Sequence, residues 1–262
     1  MRFHFLFSAH PLDPTAVEEM FAEQFAALRE AGFSASVCPD SVIRAGKPLR
    51  NIPFGATVVY RGWMLNAADY RKLVQAITSA SAMPLISPAA YLAAHHLPNW
   101  YPLIEPFTPE TRVFPVTADL EIELRSLGWE AYFIKDYVKS LKTSRGSIVR
   151  DPSEIRDIVA EMQQFRGEIE GGICVRRVEP FIAESERRYF ILDGKPFSPD
   201  GQSVPELVRQ VAARIPSRFF SVDAIQRTDG ALRIVEIGDG QVSDLVGWSA
   251  ETFAKMWATA QT

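Results

Sequence analysis

Three carboxylates gather around the end of one short apolar run, "LRIVEIGDGQVSDL" (232–245): Glu236 falls inside the alternation, and Asp239 and Asp244 lie just beyond it. A carboxylate within a strand is costly to bury unless a positive charge meets it. Asp223, in "FSVDAI", is joined to Glu236 by the turn "RTDG". An antiparallel hairpin centred there sets the two acids near each other, where they repel unless a cation lies between them. The hard cation that carboxylates hold together with substrate phosphates is Mg2+, here one or two ions brought by a nucleotide. Asp239 completes the set once the chain turns at Gly238 and Gly240. The structural alternative is a salt bridge from Arg188 or Arg233.

Cations are embedded in neighbouring apolar runs in the same way: Lys135 in "YFIKDYV", Arg176 and Arg177 in "CVRRV", Arg188 in "RRYFIL". Any one of them reads equally as a solvent-facing strand residue. As a set on consecutive strands of one half they are harder to dismiss, because strand alternation can bring them onto one face. A face holding both signs suits a polyanion that carries its own metal.

The elements that must position these residues fall into two halves. Residues 1–110 read as alternating α/β, a mostly parallel sheet covered on both faces. The strands are "FHFLF", "SASVC" and "TVVY"; the helices are "DPTAVEEMFAEQFAALREAG", with Asp13 as cap and Pro14 in its first turn, and "AADYRKLVQAITSA" after Asn66. In the first helix Val17, Phe21, Gln24 and Leu28 mark the buried stripe, and only Gln24 is off pattern. A proline- and aromatic-rich stretch, 83–111, reads as a short helix with an ordered connection. Residues 111–262 read as α+β, mostly antiparallel strands with "DGKP" and "RTDGAL" as hairpin turns.

With 47% apolar residues the chain can build ordinary packed cores, and a net charge of −4 without like-charge blocks disfavours a general grip on nucleic acid. Cys38 and Cys174 read as buried thiols. No run has the length to span a membrane, so the expectation is a soluble, cytoplasmic protein, its oligomeric state open.

The ordered combination of Lys135 in "FIKDYVKS", "CVRRVEPFI", "ERRYFILDGK" and "VDAIQRTDGALRIVEIGDG" resembles the ATP-grasp superfamily, and more narrowly the clade named for two arginines and a lysine. The resemblance implies an N-terminal Rossmann-like (pre-ATP-grasp) domain, 1–110, followed by a two-lobed ATP-grasp domain, 111–262, with its hinge near 178–183. It implies ATP and Mg2+ as cofactors and ligation as the reaction, with a small-molecule or peptide carboxylate and an amine nucleophile as partners. Lys135 would bind the α- and β-phosphates, with Lys139 and Lys142 as phosphate contacts or solvated lysines. Glu179, Pro180 and Phe181 would face adenine and ribose, and Asp223, Glu236 and Asp239 would hold Mg2+. Arg188 would meet the transferred phosphoryl group, and Arg176 or Arg177 the acceptor carboxylate. Arg61 and Trp63, at a strand's carboxyl end where open α/β sheets place ligands, are candidates for the acceptor site, as is "HHLPNWY". His95 and His96 are adjacent and so do not share a helix face; packing or capping is expected of them, not metal binding. Two departures stand out. Gly238 occupies the place of the asparagine in the usual Glu-x-Asn pattern, and the long glycine-rich flap is reduced to "SLKTSRGS", whose Ser144, Gly146 and Ser147 offer backbone donors. A phosphotransferase or a non-catalytic nucleotide-binding module would use the same machinery.

Overall fold

The buried run Phe3–His10 (β1) is explained by its neighbours: a strand paired in parallel on both sides has no solvent face and needs apolar side chains throughout. In the computed structural model, which describes residues 2–140, 146–166 and 169–260, β1 turns back as β2 (Asp13–Val17). The chain continues through α1 (Ala22–Glu30), β3 (Ser34–Cys38), α2 (Asp40–Arg44), β4 (Thr57–Arg61), α3 (Ala67–Ser79), β5 (Met83–Pro84) and α4 (Pro88–His95). β3 and β4 flank β1 in parallel, with Phe5 opposite Ala35 on one side and Val59 on the other, and β5 extends the sheet beyond β4. Asn66 caps α3 as expected, its Oδ1 accepting from the amides of Ala68 and Asp69.

Asp13 departs from expectation. Its Oδ1 accepts from the amide and hydroxyl of Thr15, so it shapes the β1–β2 hairpin, and α1 begins only at Ala22. The same short acceptor side chain serves an Asx turn and a helix cap, which is why the sequence alone does not separate the two.

The next stretch contains α5 (Leu97–Ile104), β6 (Thr111–Phe114), α6 (Leu120–Leu127), β7 (Tyr132–Lys135), β8 (Ile148–Val149), α7 (Ile155–Arg166) and β9 (Ile173–Arg177). Its strands form an antiparallel sheet in the order β6-β9-β7-β8. Leu120 and Leu124 of α6 and Ile155, Ile158 and Met162 of α7 pack on Tyr132, Ile134, Ile173 and Val175 to make its core.

The final stretch carries β10 (Arg187–Leu192), β11 (Lys195–Phe197), α8 (Glu206–Ala212), β12 (Phe219–Gln226), β13 (Leu232–Asp239) and α9 (Ala250–Thr259). A third sheet runs β11-β10-β12-β13. The β10–β11 hairpin turns on Asp193 and Gly194, both at positive φ (50° and 77°), as a tight two-residue turn requires.

Two compact units result: residues 1–94, 187–222 and 238–262 form the first, and residues 95–186 and 223–237 the second. In the first, Trp257 of α9 is fully buried with its ring 5.2 Å from Phe3, 5.1 Å from Phe5 and 4.8 Å from Phe219. Such aromatic pairs contribute about 0.5–1.5 kcal/mol each beyond their area. Among the described residues no helix is long and apolar enough to cross a membrane.

Candidate functional site

In the second unit, Lys135 ends β7 with its Nζ 3.1 Å from Oε1 of Glu236 on β13. The lysine side chain is 6% exposed and the carboxylate 43%. Lys135 is thus one positive charge that meets Glu236. Arg233 instead pairs with Glu179, through bonds of 3.0 and 2.9 Å, and Arg227 approaches the same carboxylate at 3.4 Å. That double pairing places Glu179 in an ion-pair cluster. Beside it the Pro180 carbonyl accepts from Thr228, and Phe181 bridges to Arg227. The segment expected to face adenine is thus pinned to the β12–β13 turn.

The chain reverses tightly after Lys135. The Asp136 amide donates to the Lys139 carbonyl, and Lys135 and Ser140 form an antiparallel bridge. Asp136 itself is fully buried; its Oδ1 accepts from the amides of Val138 (2.7 Å) and Lys139 (2.6 Å), and its Oδ2 accepts from Glu170 (3.4 Å). The Tyr137 ring lies on the backbone of Gly171 and Gly172, and a Cβ at Gly171 would collide with it. His96 pairs with Glu170 at 2.9 Å and meets Tyr137 edge-on. His95 is buried, and burial pushes its imidazole down to about 4. Gly171→Ala is expected to lower stability by about 2 kcal/mol, since φ there is +79° and the new Cβ would meet the Tyr137 ring. A urea titration checks this, and a loss within 0.5 kcal/mol, the ordinary range of a surface change, would overturn it.

Arg176 and Arg177 follow one another on β9 and so face opposite ways. Arg176 is wholly buried: it donates to the Val235 carbonyl and to Thr108 Oγ1 (2.6 Å), and its guanidinium lies 5.8 Å from the Trp100 ring centre. Burial pulls its pKa down to about 10. This arginine ties β9 to β13. Arg177 is exposed, 4.0 Å from Glu110. Asp223, on β12, is buried. Lys139 is exposed, while Lys142 and Ser144 lie outside the described residues.

In the first unit, Arg188 of β10 is half-buried and donates from Nη1 to the Asp244 carbonyl (2.9 Å). Arg61, expected at an open strand end, is fully buried. It donates to Gln24 Oε1 from Nε (3.1 Å) and Nη2 (2.6 Å), and to the carbonyls of Gly240 and Ser243. Its guanidinium stacks 4.9 Å over Phe253. Gln24, the off-pattern residue of α1, is this arginine's acceptor. Trp63 is 42% exposed, edge-on to Phe21.

Asp239 has a different setting from Glu236. Three residues along a strand reverse the face, and Asp239 is fully buried in the first unit, its Oδ1 accepting from the Gln241 amide and side chain (both 3.1 Å). Its Oδ2 has no hydrogen-bond partner, and burial raises the carboxyl to about 7. Gln241 is equally committed: its Oε1 accepts from the Tyr60 amide and its Nε2 donates to the Tyr70 hydroxyl. Among the described residues no three His, Cys, Asp or Glu side chains converge as a metal-ligand group. Asp223 and Glu236 keep the hard-oxygen chemistry that suits Mg2+; Asp239, desolvated and turned inward, does not. Asp136, Gln24 and Thr108 were missed from the sequence. Only Gln24 left a signal, as a polar residue on an apolar stripe.

The family model described as "ATP-grasp domain, R2K clade family 3" matches residues 126–258. Among curated proteins none matches the sequence. Among solved structures the chain is similar to D-cycloserine synthetase DcsG, with TM-score 0.66 and 14% identity over 100% of both chains. It is also similar to the macrocyclase MdnC bound with precursor peptide MdnA from Microcystis aeruginosa MRC (TM-score 0.62, 12% identity, 98% of this chain and 99% of that one). A third is D-alanine--D-alanine ligase from Bacillus anthracis complexed with ATP (TM-score 0.61, 15% identity, 99% and 92%). At these identities the likeness is one of fold.

Proposed function

Since the chain belongs to the ATP-grasp superfamily, in family 3 of its R2K clade, we propose that it is an ATP- and Mg2+-dependent ligase joining a carboxylate to an amine. A carboxylate oxygen of the acceptor attacks the γ-phosphorus of ATP, the bond to the β-phosphate oxygen breaks, and ADP leaves. The amine nitrogen then attacks the acyl carbon, phosphate departs with the C–O electron pair, and the nitrogen loses a proton. The names of the similar structures, a synthetase, a macrocyclase with its precursor peptide and a ligase with ATP, support this reading and a small-molecule or peptide acceptor.

One observation carries it: within the family-matched region the buried strand lysine and the half-open acid of the last strand stand 3.1 Å apart. In that pair Lys135 is the donor for the α- and β-phosphates, and Asp223 and Glu236 are the oxygens that would hold Mg2+. When bound, the ion would neutralise charge on the β- and γ-phosphates. Arg188 meets the transferred phosphoryl group, and Arg177, the exposed member of its pair, orients the acceptor carboxylate. Lys139 and Lys142 flank the phosphates, and the backbone of 179–181 borders the base. On this reading residues 1–110 are the Rossmann-like domain and 111–262 the two-lobed ATP-grasp domain, with its hinge near 178–183.

Thermal unfolding with and without ATP and Mg2+ tests the proposal. At about a hundred times its dissociation constant the ligand should stabilise the wild type by about 2.7 kcal/mol, several degrees at this length. Lys135→Ala and Glu236→Gln should each lose most of that shift. No shift in well-folded wild type would sink the reading. Where the shift is present, ADP release with amide and free phosphate identifies ligation, and a phosphorylated acceptor would identify phosphotransfer instead.

A further inference from the structure

Lys135 is the last residue of β7, and a strand's final side chain is only as fixed as the turn that follows it. Here the turn packs through the buried Val138 and the Tyr137 ring and is closed by the Asp136–Lys139 backbone bond. Its side-chain support includes Asp136, which accepts the Val138 and Lys139 amides on Oδ1 and the Glu170 amide on Oδ2. Three N–H groups converge on a carboxylate with no exposed surface, while the neighbouring Lys135 points the other way, to Glu236. Glu170 is in turn held to α5 through His96, and Leu97 donates its amide to the Tyr137 carbonyl. The turn is therefore anchored to the segment before β9, through Asp136 and the Tyr137 amide on Glu170, and to the start of α5, through Leu97 and His96; Asp136 is the side chain that joins the turn's own amides to the first of these.

We infer that Asp136 is a positioning residue for Lys135: it fixes the turn that holds the ammonium where the nucleotide phosphates are bound, and so sets nucleotide affinity without touching the nucleotide. The inference rests on the reading of Lys135 as the phosphate ligand. The amide of Asp136→Asn keeps an oxygen for the Val138 and Lys139 amides but faces the Glu170 amide with a second donor, so the variant loses the side-chain half of the Glu170 anchorage, keeps the Tyr137–Glu170 backbone bond and leaves the turn able to form.

A double-mutant cycle with Lys135 tests this, with Mg2+ and the non-hydrolysable analogue AMPPNP as the probe, read by calorimetry on protein whose melting transition is still cooperative. Asp136→Asn should weaken binding about tenfold, within the range seen for residues that share a hydrogen-bond network. In a Lys135→Ala background the same change should have almost no further effect, because the residue it acts through is gone. A role confined to general stability predicts the same fractional loss in both backgrounds, and that result overturns the inference. So does wild-type affinity in the single Asp136→Asn variant. If Lys135→Ala alone binds the analogue as the wild type does, the nucleotide reading itself fails and the positioning role falls with it. Should Asp136→Asn not fold, Asp136→Ser, whose hydroxyl oxygen can still accept one of the two turn amides, is judged by the same criteria.

Discussion

Asp239→Asn is expected to make the protein progressively more stable relative to wild type as the pH rises from 4 to 8. Burial pushes the wild-type carboxyl up to about 7 in the folded protein, against 3.8 for a free aspartate. Between those values the native state holds a proton that the unfolded chain has released. Stability from this group is thus fully present below about pH 4, declines as pH rises, and is gone above about pH 7. At roughly 1.4 kcal/mol per unit, the wild type loses about 4 kcal/mol over that window through Asp239 alone. Asparagine cannot ionise, and its carbonyl can still accept both Gln241 bonds. It places a donor where the unpartnered Oδ2 stood, at a cost that does not vary with pH. Urea unfolding at pH 4.5 and pH 8 reads the difference directly; an unchanged gap between variant and wild type at the two values would show that the carboxyl is not held protonated. The same variant should keep the ATP–Mg2+ thermal shift that Glu236→Gln loses, which separates the inward acid of β13 from its outward one.

Arg61→Ala should be the most damaging single change in the first unit. It leaves Gln24 Oε1 and the carbonyls of Gly240 and Ser243 without their donor in a fully buried place. Removing one side of a buried charged network costs about 3–5 kcal/mol, a large share of an ordinary domain's stability. Arg61→Lys should recover only part of it, since an ammonium cannot span the carbonyls and the glutamine at once. The measurement is the urea midpoint of the three proteins. A normally stable Arg61→Ala that has lost only acceptor binding would return this residue to the substrate role that its place at a strand end suggests.

What could be read from the sequence was what depends on local pattern. The parallel strands β1 and β4 announce themselves as mostly apolar runs and β3 as a short run of small residues, Asn66 as a cap, and the charges of β7, β9, β10, β12 and β13 as exceptions to alternation. Lys135 and Glu236 were singled out individually, and the structure supplies their pairing. What could not be read was partnership at long separation. Nothing local distinguishes Arg176, which is spent on Thr108 and Val235, from Arg177, which is exposed. Gln24 and Arg61 lie 37 residues apart, and each looked like an isolated oddity until they met. Asp136 was hidden for a different reason: beside a strand lysine it reads as an ordinary turn residue, and its three amide partners are backbone groups that carry no residue type. Asp239 was read with a turn at Gly238, whereas β13 runs on to Asp239, and the two-residue period of a strand turns it to the face opposite Glu236.

The first unit is written in three pieces, and its innermost tryptophan belongs to the last. Until residues 250–259 leave the ribosome, Phe3 and Phe5 have no Trp257 to close over them, and the sheet built from the first hundred residues must wait with one aromatic face open to water. Contacts between the two ends of a chain are slow to form, and exposed apolar surface during that delay invites association with other chains. Nascent chains that end before α9 are therefore expected to aggregate more readily than the full chain.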